Sequence, residues 1–300
     1  MRPLSWLYNL GRCGRKLLVR PRPFPLPTLV LGGITVGGSG KTPAAIALAQ
    51  FFQERGYVVH CLSRGYGGTH KGVTRVTQTH TAREVGDEPL LLAEHTPTWV
   101  AVDRYRAACK AAESGAQLLV ADDGFHNPRL RAETSILVYD AVQGAGNGAL
   151  FPAGPLRAPL EEILSRTTLV LSLGGPFPYA TSAPVLRADL SPVFPESLKG
   201  RRLLAFAGLG YPEKFFHTLR AQQAQLVETH VFPDHHFYTE AELRDLLQQA
   251  EAYGADLMTT RKDFVRIPDS MRAQISSLEV SWTWRSPEQS RRLLEQLVRG

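Results

Sequence analysis

The segment GGITVGGSGKTPAAIALAQFF, Gly32 to Phe52, holds the residues best suited to chemistry. Glycines crowd around Gly40-Lys41-Thr42, between an apolar run and a helical pattern. In such a strand–loop–helix unit the backbone amides of Thr35, Val36, Gly37, Gly38, Ser39 and Gly40 would wrap anionic oxygens, with no Cβ in the way at the glycines. Lys41 would reach β- and γ-phosphates, the Thr42 hydroxyl would bind Mg²⁺, and the start of the helix adds its positive end. The spacing departs from the Walker A pattern at one position, because Thr35 stands where the first glycine belongs. A nucleotide phosphate is the expected ligand.

A loop of this type calls for an aspartate at the end of a second buried strand to orient the magnesium. QLLVADDGF supplies Asp122 and Asp123 in that setting. Asp122 is assigned to the metal beside Thr42. Asp123 is expected to face the substrate or Lys41, and strand alternation predicts that the two carboxylates point in opposite directions. Read alone, Asp87 and Glu88 of GDEP are first-turn acids of a helix starting near Pro89. His235 in PDHH reads alone as structural, and His126 and His236 as polar surface positions. Arg64, Arg104 and Arg157 are candidates for anionic groups.

Strands and helices alternate around these residues. TLVLGG, YVVHCL, TWVAV, QLLVADDGF, TSILVYD and TTLVLSL read as strands that are apolar throughout, with helices between them. That pattern predicts a parallel sheet covered on both faces. The fold class is α/β, a P-loop NTPase-like parallel sheet with helices on both faces and a second, smaller α/β domain. The expected organisation is a basic arm over residues 1–27, a P-loop domain over 28–175, a linker over 176–200 and a second α/β domain over 201–300. The last helix is expected to return onto the first domain.

With 43% apolar and 21% charged residues, the composition of the 300-residue chain is that of a soluble globular protein. No apolar run is long enough to span a bilayer. Cys13, Cys61 and Cys109 are isolated and fit structural thiols in a reducing, cytosolic compartment. The net charge of +6 is unevenly spread, since no acidic residue precedes Glu54. Arg2, Arg12, Arg15, Lys16, Arg20 and Arg22 stand among Leu4, Trp6, Leu7, Tyr8, Leu10, Leu17 and Leu18. Such an arm suits either a helix lying on an anionic membrane or a solvated basic segment, and Gly11 and Gly14 weaken a helix there. No basic–aromatic pattern continues beyond it, so nucleic acid is not an expected partner.

TTRKDF lacks the residue gap of a guanine-reading motif, and no second lysine stands early in the loop. The blocks GGITVGGSGKTP, SRGYGG, GDEPLLLA, VADDGFHNPRL, FPAGPLR, FPDHHFY and TRKDFVRIP, in this order, resemble the tetraacyldisaccharide 4'-kinases from about Leu29 to Pro268. The resemblance implies transfer of the γ-phosphate of ATP, with Mg²⁺, to the 4'-hydroxyl of an acylated glucosamine disaccharide 1-phosphate. It implies a peripheral enzyme, expected as a monomer, on the cytoplasmic face of a bacterial inner membrane, with the basic arm as its membrane contact. It makes Asp87 the proton acceptor, paired across an interdomain cleft with His235, and places Lys41 and Asp123 in the catalytic set. Competing readings are a P-loop kinase or ligase for a soluble metabolite and a nucleotide-switched membrane adaptor. Three positions depart from the family pattern: Ala158 and Arg261 where Glu is usual, and Gly33 where Asn is common. Glu161 or Glu162 is a possible substitute for the first of these.

Overall fold

The computed structural model describes residues 2–38, 40–193 and 196–298. Ser39, expected in the phosphate loop, lies outside the described residues, as do the side chains of Arg2, Pro3 and Lys16.

Among the described residues twelve strands form one sheet, in the order Gln225–Val231, Arg202–Ala207, Asp256–Thr260, Ser276–Trp284, Val185–Val193, Leu169–Leu173, Thr134–Asp140, Thr28–Gly33, Leu118–Ala121, Val59–Ser63, Thr98–Val100 and Thr74–Arg75. Neighbours run parallel except at the edge pair Thr74–Arg75 with Thr98–Val100 and where Val185–Val193 meets Ser276–Trp284. The second exception divides the sheet into a first block, which carries the glycine loop, and a second block. The proline-rich stretch expected as a linker thus contains a nine-residue strand at the join, with Ala188 opposite Trp284 and Val193 opposite Glu279.

The central strands are buried on both faces because helices cover both. Ala44, Ala45, Leu48 and Phe52 of the helix Lys41–Gln53 pack on one face. The closing helix Pro287–Gln296 lies on that same face through Leu293 and Leu294, with Trp282 and Trp284 beside it. Ala107, Ala108 and Ala111 of the helix Arg104–Glu113 cover the other face. In the second block, Leu243 and Leu246 of Glu240–Ala252 and Phe215, Phe216 and Leu219 of Glu213–Ala221 cover the two sides.

The antiparallel join reverses strand direction between the blocks. Sheet twist accumulates at roughly 20–25° per step, so the seven steps from Asp256–Thr260 to Val59–Ser63 turn the sheet by about 150°. That rotation brings the C-terminal ends of both blocks back toward one cleft.

The arm forms the helix Arg2–Leu17, running through Gly11 and Gly14. Tertiary contact outweighs the weak propensity of the glycines. Ser5 Oγ donates to the Leu150 carbonyl at 2.9 Å and accepts from Ala153 N–H at 3.1 Å. The Tyr8 hydroxyl donates to the Arg157 carbonyl at 3.2 Å, and Arg12 forms a two-pronged pair with Glu162 at 2.7 and 2.6 Å. These residues recur at helical spacing and dock one face on residues 149–162. Glu162 is therefore turned toward Arg12 rather than toward the phosphate loop.

Candidate active site

The strand Thr28–Gly33 is buried along its length and delivers the loop to the end of the sheet. Thr35 is buried and bridges to Leu156, and its carbonyl accepts from Arg157 Nε at 3.0 Å. Val36 N–H donates to the Pro155 carbonyl at 2.9 Å. Thr35 and Val36 are thus the anchored shoulder of the loop, and the amide of Val36 is directed away from a ligand. Beyond that shoulder, the candidate phosphate-binding segment runs over Gly37, Gly38, Gly40, Lys41 and Thr42. The first intrahelical bond runs from Ala44 N–H to the Gly40 carbonyl, so the preceding amides face the loop. Lys41 lies buried across the loop, donating from Nζ to the Gly37 carbonyl at 3.2 Å.

Gly40 has φ of 78°, and a Cβ there would stand 2.8 Å from Leu173 Cδ2. Gly40→Ala combines left-handed strain with that clash, at about 1–3 kcal/mol. We expect it to weaken ATP binding at least about tenfold in a titration with a fluorescent nucleotide, on the scale of 1.4 kcal/mol per decade. Unchanged affinity would remove the loop from nucleotide binding.

Asp122 follows the strand Leu118–Ala121 and is buried. Its Oδ2 accepts from Thr42 Oγ1 at 3.0 Å, while the buried Oδ1 has no hydrogen-bond partner among the described residues. Burial, then the charge of Glu88, pushes this carboxyl up to about 7. An orphaned buried carboxylate oxygen beside a threonine hydroxyl fits a hard divalent cation, which would supply the missing positive partner.

Asp123 does not point the opposite way. The strand ends at Ala121, and Asp123 takes a left-handed φ of 49°, so pleat alternation no longer applies. Its two oxygens each lie 2.9 Å from Arg157 NH1, and Oδ1 is 3.9 Å from Lys41 Nζ. Burial would raise this carboxyl, but Lys41 and Arg157 outweigh it and hold it below the usual range. Arg104, also buried, donates to the Asp123 carbonyl at 2.8 Å. Arg104 and Arg157 therefore brace the loop and its aspartates. Arg64 is exposed.

His126 is half-buried rather than a free surface position: its Nε2 donates to the Gly33 carbonyl at 2.8 Å, and burial lowers the ring to about 4. The backbone of Gly33, one of the departures from the family pattern, is thus tied to the VADDGFHN turn. Ala158 is buried in the core. Arg261 reaches across the cleft to Glu94 at 2.6 Å.

Asp87 opens the short helix Asp87–Ala93 and is only 4% exposed. The preceding Gly86 has φ of 91°, and a Cβ there would meet the Tyr66 carbonyl at 2.6 Å. The SRGYGG and GDEP loops nest backbone against backbone at this point, which sets the position of Asp87. Its Oδ1 accepts from Glu88 N–H at 2.9 Å, so the first-turn role is real. Its Oδ2 lies 3.0 Å from Nδ1 of His235, a residue 148 positions away in the second block. His235 has φ of 60°, its N–H donates to the Gly208 carbonyl at 3.2 Å, and its side chain is 31% exposed. The carboxylate is the buried member of the pair and the imidazole the accessible one. Asp234 Oδ1 is 3.9 Å from Nε2 of His235, whereas His236 bonds Glu242 of the next helix at 3.1 Å.

Two further cations close the cluster. Lys262 Nζ is 3.9 Å and Arg266 Nε 3.2 Å from Asp87 Oδ2. Burial acts to raise Asp87, but the His235 hydrogen bond, Lys262 and Arg266 prevail and hold it at about 2. In the sequence, Lys262 and Arg266 stand in a segment that lacks the guanine-motif gap and matches the family block TRKDFVRIP, and neither cation is assigned a role there. The available signal was a pair of cations four residues apart: Lys262 lies in the one-turn helix Arg261–Phe264 and Arg266 two residues past its end.

The profile of the LpxK family, tetraacyldisaccharide-1-P 4'-kinase, matches residues 1–299. A tetraacyldisaccharide 4'-kinase of Rhodospirillum centenum is 47% identical over 94% of this chain and 86% of its own length. One from Methylobacterium nodulans is 46% identical over 95% of this chain and 87% of its own. Among solved structures, LpxK from Aquifex aeolicus in complex with ATP superposes with a TM-score of 0.80 at 27% identity, over 99% of this chain and 98% of that one.

Proposed function

The chain belongs to the LpxK family of tetraacyldisaccharide-1-phosphate 4'-kinases, and from that premise we infer how its own residues carry the reaction. It is an ATP-dependent lipid kinase that phosphorylates the 4'-hydroxyl of tetraacyldisaccharide 1-phosphate. Membership sets aside the soluble-metabolite kinase and the nucleotide switch.

In the proposed mechanism Gly37, Gly38, Gly40 and the start of the helix cradle the phosphates, and Lys41 leaves the Gly37 carbonyl for the β- and γ-oxygens. Thr42 and Asp122 hold Mg²⁺, which when bound neutralises charge on the phosphates. Asp123, gripped by Arg157, keeps Lys41 aimed across the loop. The 4'-hydroxyl gives its proton to the Asp87–His235 pair. A carboxylate held at about 2 is a weak acceptor alone, so Asp87 also serves to orient the imidazole. The single observation that carries this reading is the 3.0 Å contact between His235 and Asp87. A buried acid at a helix start has no need of an imidazole from the other block, whereas proton removal does. Both halves of the site come from one chain, which is consistent with a monomer. The test is transfer of labelled γ-phosphate from ATP to the disaccharide 1-phosphate in mixed micelles with Mg²⁺. Absence of labelled lipid would overturn the reading.

Among the described residues no helix is long and apolar enough to cross a membrane. We place the enzyme on the inner, anionic leaflet through the helix Arg2–Leu17. Ser5, Tyr8 and Arg12 dock it, and Trp6, Leu7, Leu10 and Leu17 stand on the opposite side, with Trp6 77% exposed. Basic residues beside an apolar stripe suit a surface-lying helix. The triple variant Trp6→Ser, Leu10→Ser, Leu17→Ser keeps the docked face. It should raise KM for lipid and the dissociation constant for anionic vesicles at least about tenfold, since each buried side chain contributes about 1.5–3 kcal/mol. KM for ATP should stay within about twofold. Equal changes in both KM values would indicate a folding role instead.

A further inference from the structure

The structure assigns Arg266 as a positioning residue for phosphoryl transfer, holding both members of the Asp87–His235 pair in register across the cleft. This inference rests on the kinase reading above.

The Arg266 side chain is 1% exposed, so its charge needs partners inside the protein. It has two carboxylates, one from each block: Asp87 Oδ2 at 3.2 Å and Asp263 Oδ1 at 3.3 Å. Its NH1 also donates to the carbonyls of His236 at 3.1 Å and Gly208 at 3.4 Å. Those carbonyls bracket the turn that presents His235, whose own N–H bonds the Gly208 carbonyl. A histidine at positive φ is a strained conformation that persists only when its surroundings over-determine it. One guanidinium thus grips the turn behind the imidazole and the carboxylate in front of it.

The contact with Asp87 is one of charge. Arg266 Nε is buried and makes no hydrogen bond among the described residues, although it lies within 3.2 Å of Oδ2. Asp87 Oδ2 therefore keeps a lone pair beyond the one that meets His235. A lysine could supply the charge at this position but would not reach two carbonyls and two carboxylates from one planar group.

Asp263 fixes the guanidinium from behind. It is fully buried and accepts from Gly208 N–H at 2.9 Å, the Tyr238 hydroxyl at 2.8 Å and Thr260 Oγ1 at 2.6 Å. The chain from Thr260 through Asp263 to Arg266 accounts for the spacing of TRKDFVR: a capped turn whose acid, at its third residue after the cap, anchors a cation three residues on.

The test is a double-mutant cycle on the full chain, with ATP, Mg²⁺ and the disaccharide 1-phosphate in mixed micelles. Arg266→Met should lower kcat about thirtyfold or more, with both KM values within about threefold. Arg266→Lys should recover to within about tenfold of wild type. In an Asp87→Asn background, Arg266→Met should cost no more than about threefold, because its effect runs through the Asp87–His235 pair, which Asp87→Asn has already broken. If the methionine variant melts below the assay temperature, Arg266→Gln enters the same cycle with the same expectation. Equal losses in both backgrounds, or wild-type kcat in Arg266→Met, would overturn the inference while leaving the kinase reading intact. A wild-type chain that labels no lipid would overturn both.

Discussion

Asp87→Asn should lower kcat at least about a hundredfold and leave both KM values within about threefold, on the scale of a positioned proton acceptor. The asparagine keeps the shape of the side chain and the bond from Glu88 N–H, but removes the charge that Lys262, Arg266 and His235 surround. His235 then loses its acceptor at Nδ1 and Arg266 faces a neutral amide. Near-normal turnover would remove Asp87 from the chemistry.

The same variant has a signature in stability. Asp87 is held at about 2, below its unfolded value of 3.8. A depressed carboxyl contributes stability above its unfolded pKa and loses it as pH falls through the folded one. The shift corresponds to roughly 2 kcal/mol at neutral pH, lost between about pH 4 and pH 2. Denaturant unfolding of wild type and Asp87→Asn at pH 7 and pH 3 should therefore show a gap that narrows on acidification. A gap that widened would contradict the sign of the interaction. An acid limb in kcat above about pH 4 would come from a group other than Asp87, because this carboxylate is already ionised there.

Lys41→Ala is the second large effect, with kcat/KM for ATP falling at least about a hundredfold. Lys41 is a buried cation between the Gly37 carbonyl and Asp123, and the phosphates of ATP offer it far more negative charge than that carbonyl does. The fold should survive. Asp123 keeps Arg157, and the apolar residues of the helix, including Ala44, Ala45 and Leu48, are untouched. A thermal melt within a few degrees of wild type, together with the lost activity, would assign the effect to phosphate contact. Retention of a tenth or more of kcat/KM would mean that the loop holds its phosphate without this lysine.

Two of the three departures from the family pattern, Ala158 and Arg261, have different consequences. Ala158 packs in the core and Glu162 turns to Arg12, so neither takes the place of the usual glutamate beside the phosphate loop. Arg261 exchanges a negative charge for a positive one at the cleft and pairs with Glu94, adding a bridge between the blocks.

Local patterns determined much of this protein. Continuous apolar strands determined the parallel sheet, because side chains buried on both faces must all be apolar. The glycine–Lys41–Thr42 unit was legible because a phosphate loop depends on residues close together in sequence, and Asp122 because an acid closing an apolar strand stands out locally. The apolar and basic residues of the arm motivate the membrane contact proposed for it. Other features were decided by tertiary structure alone. Alternation misplaced Asp123, because a single left-handed residue after Ala121 turned the chain. Thr35 and Val36 are loop residues by spacing, yet the Arg157 side chain holds the Thr35 carbonyl and the Pro155 carbonyl holds the Val36 amide. Asp87, by its local pattern, is a helix acid. Its partners His235, Lys262 and Arg266 come from the second block, and no short-range pattern records contacts across so much chain. The antiparallel join and the accumulated twist bring them together, and the burial that results sets the charge of Asp87.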